Sequence, residues 1–282
     1  RSGEPARRAA ALLALARRRD PSASALLGSA LQDPDPSVSR AAVEGSKITG
    51  STEHLETLVR LGLSGRADAL EAARAILVRT TDRAPVVARL IELANTISPD
   101  ARPPLVELIA AAGGPQALAW TRSQLSGPAK VRESAVRALA NWADADALAP
   151  LRELVSSAET PEPHRRLALR GIARLVSAST NAPAELRCEA AIAALGAAAD
   201  RADRIAVIAA LGSVSDRRAA VALREELQRH PEVQAEIWMA LAGLAEALHR
   251  TDKAFAKELA QQVMAAPSAP PVARSKAEAL AR

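Results

Sequence analysis

Four arginines stand at one offset in this sequence. Arg102, Arg132, Arg165 and Arg204 each precede an apolar residue by seven positions, namely Ile109, Leu139, Ile172 and Leu211. A guanidinium is always charged, and its planar fork suits phosphates and carboxylates. Two chemistries are open to such a series. It can form a basic stripe that binds phosphates or an acidic partner. It can instead bond loop carbonyls, or acids such as Asp100 and Asp203, and so tie units together.

Other residues with chemical potential are few. Trp120 precedes Thr121 and Arg122, and a Trp beside an Arg is the pattern of an interface anchor. Burial is the expected fate of Trp120, because the chain has three Trp, one Phe and no Tyr to fill a core. His54, His164, His230 and His249 are scattered without metal-ligand spacing. Cys188 is the single cysteine and lies in an alanine-rich stretch, which favours a small buried residue over a nucleophile. No G-x-S-x-G, phosphate-cradling glycine loop or H-E-x-x-H occurs. The expectation is a chain that is not an enzyme, with no catalytic, cofactor or metal residues.

The elements that carry these residues repeat. The phrase Val131 to Leu139 recurs, with anchors at Ser46, Ile76, Ile109, Leu139, Ile172, Leu211, Leu241 and Leu280, in steps of 30, 33, 30, 33, 39, 30 and 39 residues. Around Leu139 the apolar stripe is Val131, Ala135, Val136, Leu139 and Trp142. Spacings of three and four put these on one helix face. Proline sits near many helix starts, where its missing N–H costs nothing. Partner helices are expected near 21–32, 51–63, 83–97, 115–126, 144–157, 183–198, 216–229 and 251–265, with a first helix at 5–19. Asp20, Ser51, Asp82, Asp144 and Asp216 are cap candidates. Glycines 171, 196, 212 and 243 suit close helix packing or helix ends. The loosest stretches are 159–163 and 177–183, the second implying an extended loop or a longer helix.

A period of this length is the mark of a solenoid, whose units bury their apolar faces only against each other. The expected fold is all-α, an α-solenoid of about eight stacked antiparallel helix pairs in one domain over 1–282. Composition agrees. Half of the residues are hydrophobic, at 49%, and only 1% are aromatic, which argues against a sandwich or barrel. No run of about 18 apolar residues is present, so no membrane span is expected. The net charge of +5 and pI near 10.1 are read as solubility rather than as a nucleic-acid signature.

The segment from Pro128 to Leu148 resembles a HEAT repeat of the phycobilisome-lyase-like type. Val131, Arg132, Ala135, Ala138 and Leu139 match its V-R-x-x-A-x-x-A-L phrase. Arg204, Ala210 and Leu211 match in part, as do Val233, Ala240 and Leu241. The resemblance implies a protein-binding scaffold and a structural task for the arginine series. The succession from Arg132 through Leu211 is also similar to solenoid segments of large exported bacterial proteins. That likeness implies a segment of a longer chain, with export or a periplasmic setting in view and the compartment otherwise open.

The function expected is a non-enzymatic scaffold that holds a protein or peptide partner, or braces another domain of the same chain. The alternative is nucleic-acid binding through the arginine ladder Arg102, Arg132, Arg165 and Arg204. A lyase-like role in bilin attachment would rest on the fold alone, and fold does not carry function.

Overall fold

The computed structural model describes residues 4–281, which contain 17 α-helices and no strand. Two compact units divide the chain, Arg1–Ala138 and Leu139–Arg282. The first holds α1 (Pro5–Arg17), α2 (Pro21–Ala30), α3 (Pro36–Thr49), α4 (Leu55–Leu63), α5 (Ala67–Arg79), α6 (Ala84–Thr96), α7 (Pro103–Ala112) and α8 (Pro115–Ser123). Helix α9 (Ala129–Ala140) carries the boundary. The second holds α10 (Leu148–Ser156), α11 (Glu162–Ala178), α12 (Ala184–Ala197), α13 (Arg201–Leu211), α14 (Arg217–Arg229), α15 (Gln234–Leu248), α16 (Lys253–Ala265) and α17 (Pro271–Ala281).

Each unit stacks helix pairs in the manner of an α-solenoid. In the first, α1 packs on α3, α3 on α5 and α5 on α7. In the second, α11 packs on α13, α13 on α15 and α15 on α17, while α10 packs on α12. Short connections between packed neighbours make them antiparallel. The anchors face inward: Ser46, Ile76, Ile109, Leu139, Ile172, Leu211 and Leu241 are all buried. Leu280 departs from the series and is half-buried, because no described helix follows α17 to cover it. Ser46 fits an apolar position because its hydroxyl donates to Ala42 O at 2.8 Å within its own helix.

Local chemistry sets the helix starts. The first helical residue is a proline in α1, α2, α3, α7, α8 and α17. Asp20 and Asp216 accept from the backbone N–H two residues on, as expected, and Asp144 does the same for a 3-10 turn that leads into α10. The Ser51 N–H donates to His54 Nδ1 at 3.0 Å, opening another such turn before α4. Asp82 is not a cap. Helix α6 begins one residue later than that role requires, with Arg83 in the N-cap position. Asp35, Asp200 and Asp252 cap α3, α13 and α16 and escaped the sequence reading. Of the loose stretch 177–183, residues 179–183 form a loop between α11 and α12, and the α11 before it runs for 17 residues.

Glycine decides how closely the stacked helices approach. A Cβ on Gly171 would lie 2.7 Å from Ala140 Cα, and one on Gly212 would lie 2.9 Å from Ala240 Cα and O. A Cβ on Gly243 would meet Gly212 O at 3.0 Å. Gly196 does not belong to this set, because nothing lies within 4 Å of where its Cβ would be.

Candidate functional site

Three of the four arginines of the seven-residue offset turn back on their own connectors. Arg102 Nη2 donates to Ile97 O at 3.5 Å, Arg165 Nη2 to Thr160 O at 2.9 Å, and Arg204 Nη2 to Ala198 O at 2.6 Å. Arg204 also pairs with the buried Glu226 of α14. Arg132 is exposed. The acids proposed as partners are placed otherwise. Asp203 takes Arg166 Nε at 2.7 Å and Arg170 Nε at 2.8 Å, while Asp100 is exposed.

A different arginine set clamps the ends of neighbouring helices. Arg79 of α5 donates to Ser46 O at 3.1 Å, to Gly50 O at 3.2 Å and to Lys47 O, covering the end of α3. Arg174 of α11 donates to Ala140 O at 3.0 Å and to Trp142 O at 2.6 Å. Arg83 reaches Ala112 O at 3.2 Å, and buried Arg187 reaches Val176 O at 3.2 Å. Terminal carbonyls have no partner inside their helix and carry partial negative charge, so a guanidinium satisfies them twice over.

Side-chain ion pairs obey the same period. Arg166–Asp200 and Arg224–Glu258 are 34 residues apart, Arg170–Asp203 and Arg89–Glu56 are 33, and Arg201–Glu236 and Arg217–Asp252 are 35. Base and acid occupy neighbouring repeats. Testing the sequence for opposite charges one repeat apart would have found these pairs.

Trp120 is half-buried. It packs, with Ala110 and Leu125, against Val106, Val131, Ala135 and Ala138. Trp142 and Trp238 are buried, and Trp238 Nε1 donates to Ser268 Oγ at 3.0 Å. Cys188 is buried, and burial pushes its thiol up to about 12, so no thiolate forms near neutral pH. Among the described residues no group of three or more His, Cys, Asp or Glu could hold a metal ion. No described helix is long and apolar enough to cross a membrane.

A recess on the anchored helices belongs to the second unit. A groove of about 600 Å³ runs across α13, α15 and α17. Its walls include Ala209, Gly212, Ala235, Met239 and Gly243. The close backbone approach at Gly212 and Gly243 leaves no large side chain to fill it. Met239 is 38% exposed there, an apolar and adaptable surface. Ion pairs hold the rim, Glu236 with Arg201 at 2.9 Å and Lys276 with Glu246 at 2.7 Å. A smaller recess of about 210 Å³ lies between α4 and α6, lined by Leu55, Val86, Leu90 and Leu93. Neither recess was legible beforehand, since it takes the packing of separate helices to make one.

Residues 1–77 match the sequence model of HEAT repeats. Over that stretch the chain is similar to HEAT repeats. Beyond the matched stretch, the same alternation of anchored and partner helices continues to Ala281. None of the curated proteins compared with this chain matches it. Among solved structures it is similar to human deoxyhypusine hydroxylase in complex with glycerol, at 19% identity and a TM-score of 0.36. That match covers 94% of this chain and 97% of the other.

Proposed function

We propose that this chain is a non-enzymatic HEAT-repeat scaffold that holds a protein or peptide partner along the exposed faces of α13, α15 and α17. The observation that carries the reading is the groove on those helices, floored by small residues and presenting Met239. An extended or helical segment could lay apolar side chains over Ala209, Ala235 and Met239 while its polar groups meet Glu236 and Lys276 at the rim. The arginine ladder gives no competing phosphate stripe, because Arg102, Arg165 and Arg204 spend their guanidinium groups on loop carbonyls.

The test is selection of peptides from a displayed library on the immobilised chain, followed by titration against Met239→Glu. The reading expects selected peptides to bind this variant at least about tenfold more weakly, with thermal stability unchanged, since Met239 is at the surface. Peptides that bind both forms equally would remove the groove from the account.

A further inference from the structure

The net charge is not shared between the two units. Residues 1–138 carry 19 Lys and Arg against 14 Asp and Glu, whereas residues 139–282 carry 18 of each. The whole excess of +5 therefore belongs to the first unit. Much of it gathers at one edge. Arg17, Arg18 and Arg19 end α1, and all three are exposed. The end of α1 lies on the end of α3: a Cβ on Gly45 would stand 3.3 Å from Ala16 Cβ. Arg79 covers the same end of α3 from the other side, through its bonds to Ser46, Lys47 and Gly50 carbonyls.

Arg79 thus meets the charge of Arg19 at one helix end, with Arg17 and Arg18 exposed at the adjoining end of α1, and none of the four forms an ion pair among the described residues. Asp20 is adjacent, but its carboxylate is committed to capping α2, accepting from Ser22 N at 2.9 Å and from Ser22 Oγ at 2.6 Å. Arg79 is lowered from its ordinary value, first by burial and then by the charge of Arg19. Asp20 offsets part of the charge of Arg18, but like charges held together with too few counter-charges are costly, and a bound anion relieves that cost. Arg19 adds a second anomaly. Its φ of +53° is the one positive φ among described residues other than glycine. It occupies the left-handed position after a helix where glycine fits without strain.

We propose that this edge, formed by Arg17, Arg18 and Arg19 beside Arg79, is a docking site for an acidic polypeptide segment. Arg79 is fixed by three carbonyls and contributes its charge, while the three exposed arginines make the contacts. A duplex fits less well. Its phosphates ask for a continuous basic row, and the next cation, Lys47, is already held by Glu44 at 3.2 Å and Glu71 at 3.0 Å. No aromatic residue lies in the segments that form the edge, so bases of a single strand have nothing to stack on.

The experiment is fluorescence anisotropy of a labelled ten-residue glutamate peptide with the full chain, at low and at physiological salt. A 20-base-pair duplex serves as the competing probe. Arg19→Gly removes one charge and relieves the strained backbone, so its melting temperature holds or rises. Arg17→Glu supplies a second variant. The proposal expects salt-sensitive peptide binding, weakened about tenfold by each variant, as loss of a charge-assisted contact implies. Met239→Glu, in the groove of the other unit, leaves this binding unchanged, so the two readings fail separately. Absence of peptide binding at low salt overturns the proposal, as does binding by both variants as tight as by the parent chain, or tighter binding of the duplex.

Discussion

Arg204 and Arg132 stand at the same offset from their anchors and meet different surroundings. Arg204 is paired with Glu226, whose side chain is 5% exposed, and it also holds the Ala198 carbonyl. Arg132 faces solvent. Removing one member of a buried pair strands the other charge, which costs about 3 kcal/mol. Arg204→Ala should therefore lose about that much in urea unfolding, while Arg132→Ala stays within ~0.5 kcal/mol, as exposed substitutions do. Equal effects at both sites would mean the offset itself sets the role. Cys188 gives a second check at this scale. Its buried thiol, raised to about 12, should react with a disulfide reagent in the native chain far more slowly than in denaturant. Prompt labelling of the native chain would contradict that placement. The sequence could nominate arginines by spacing, but not tell a clamp from a surface charge. That distinction depends on where each guanidinium ends, which the offset does not encode.

Helix identity was legible because it rests on local signals that agree. The apolar stripe, the prolines at first turns and the aspartates at caps each point to the same boundaries. The partner helix expected at 183–198 is Ala184–Ala197, and the one expected at 216–229 is Arg217–Arg229. Contacts between helices were less legible. Gly171, Gly196 and Gly212 look alike in sequence, yet the first and third face a neighbouring backbone and Gly196 faces open space. Substitution separates them. Gly212→Ala should cost about 1–3 kcal/mol, because its methyl would strike Ala240 backbone that cannot rotate away. Gly196→Ala should be neutral or stabilising by up to about 1 kcal/mol, since alanine favours the helix and meets nothing. Chemical denaturation of the pair reads this directly. Destabilisation by both variants would show that α12 packs closely at its end as well.

Repetition at the scale of the molecule multiplies small terms into a property of the whole. Carboxylates that cap helices or meet arginines recur through both units, and the fold favours their charged form. Asp35 is held below its ordinary value of 3.8, first by the Ser37 hydroxyl and then by the Ser37 N–H. Asp200 is lowered by the Asp203 N–H, Asp216 by Arg218 and Asp252 by Arg217. Each folded pKa lies below the unfolded one, so the unfolded chain binds more protons as the pH falls. The stabilisation is complete above the unfolded value and is lost as pH drops from about 4 through the lowered values. The melting temperature should accordingly be flat from pH 7 to about 5 and then fall steeply below about pH 4. Circular dichroism melts across that range test it. A decline centred between pH 6 and 7 would instead point to histidine, and constancy down to pH 2.5 would mean the capping carboxylates contribute nothing. Asp35→Asn sharpens the test, because asparagine caps a helix about as well as aspartate but does not titrate. That variant should match the parent chain near pH 3 more closely than at pH 7, where only the parent gains from the charged carboxylate.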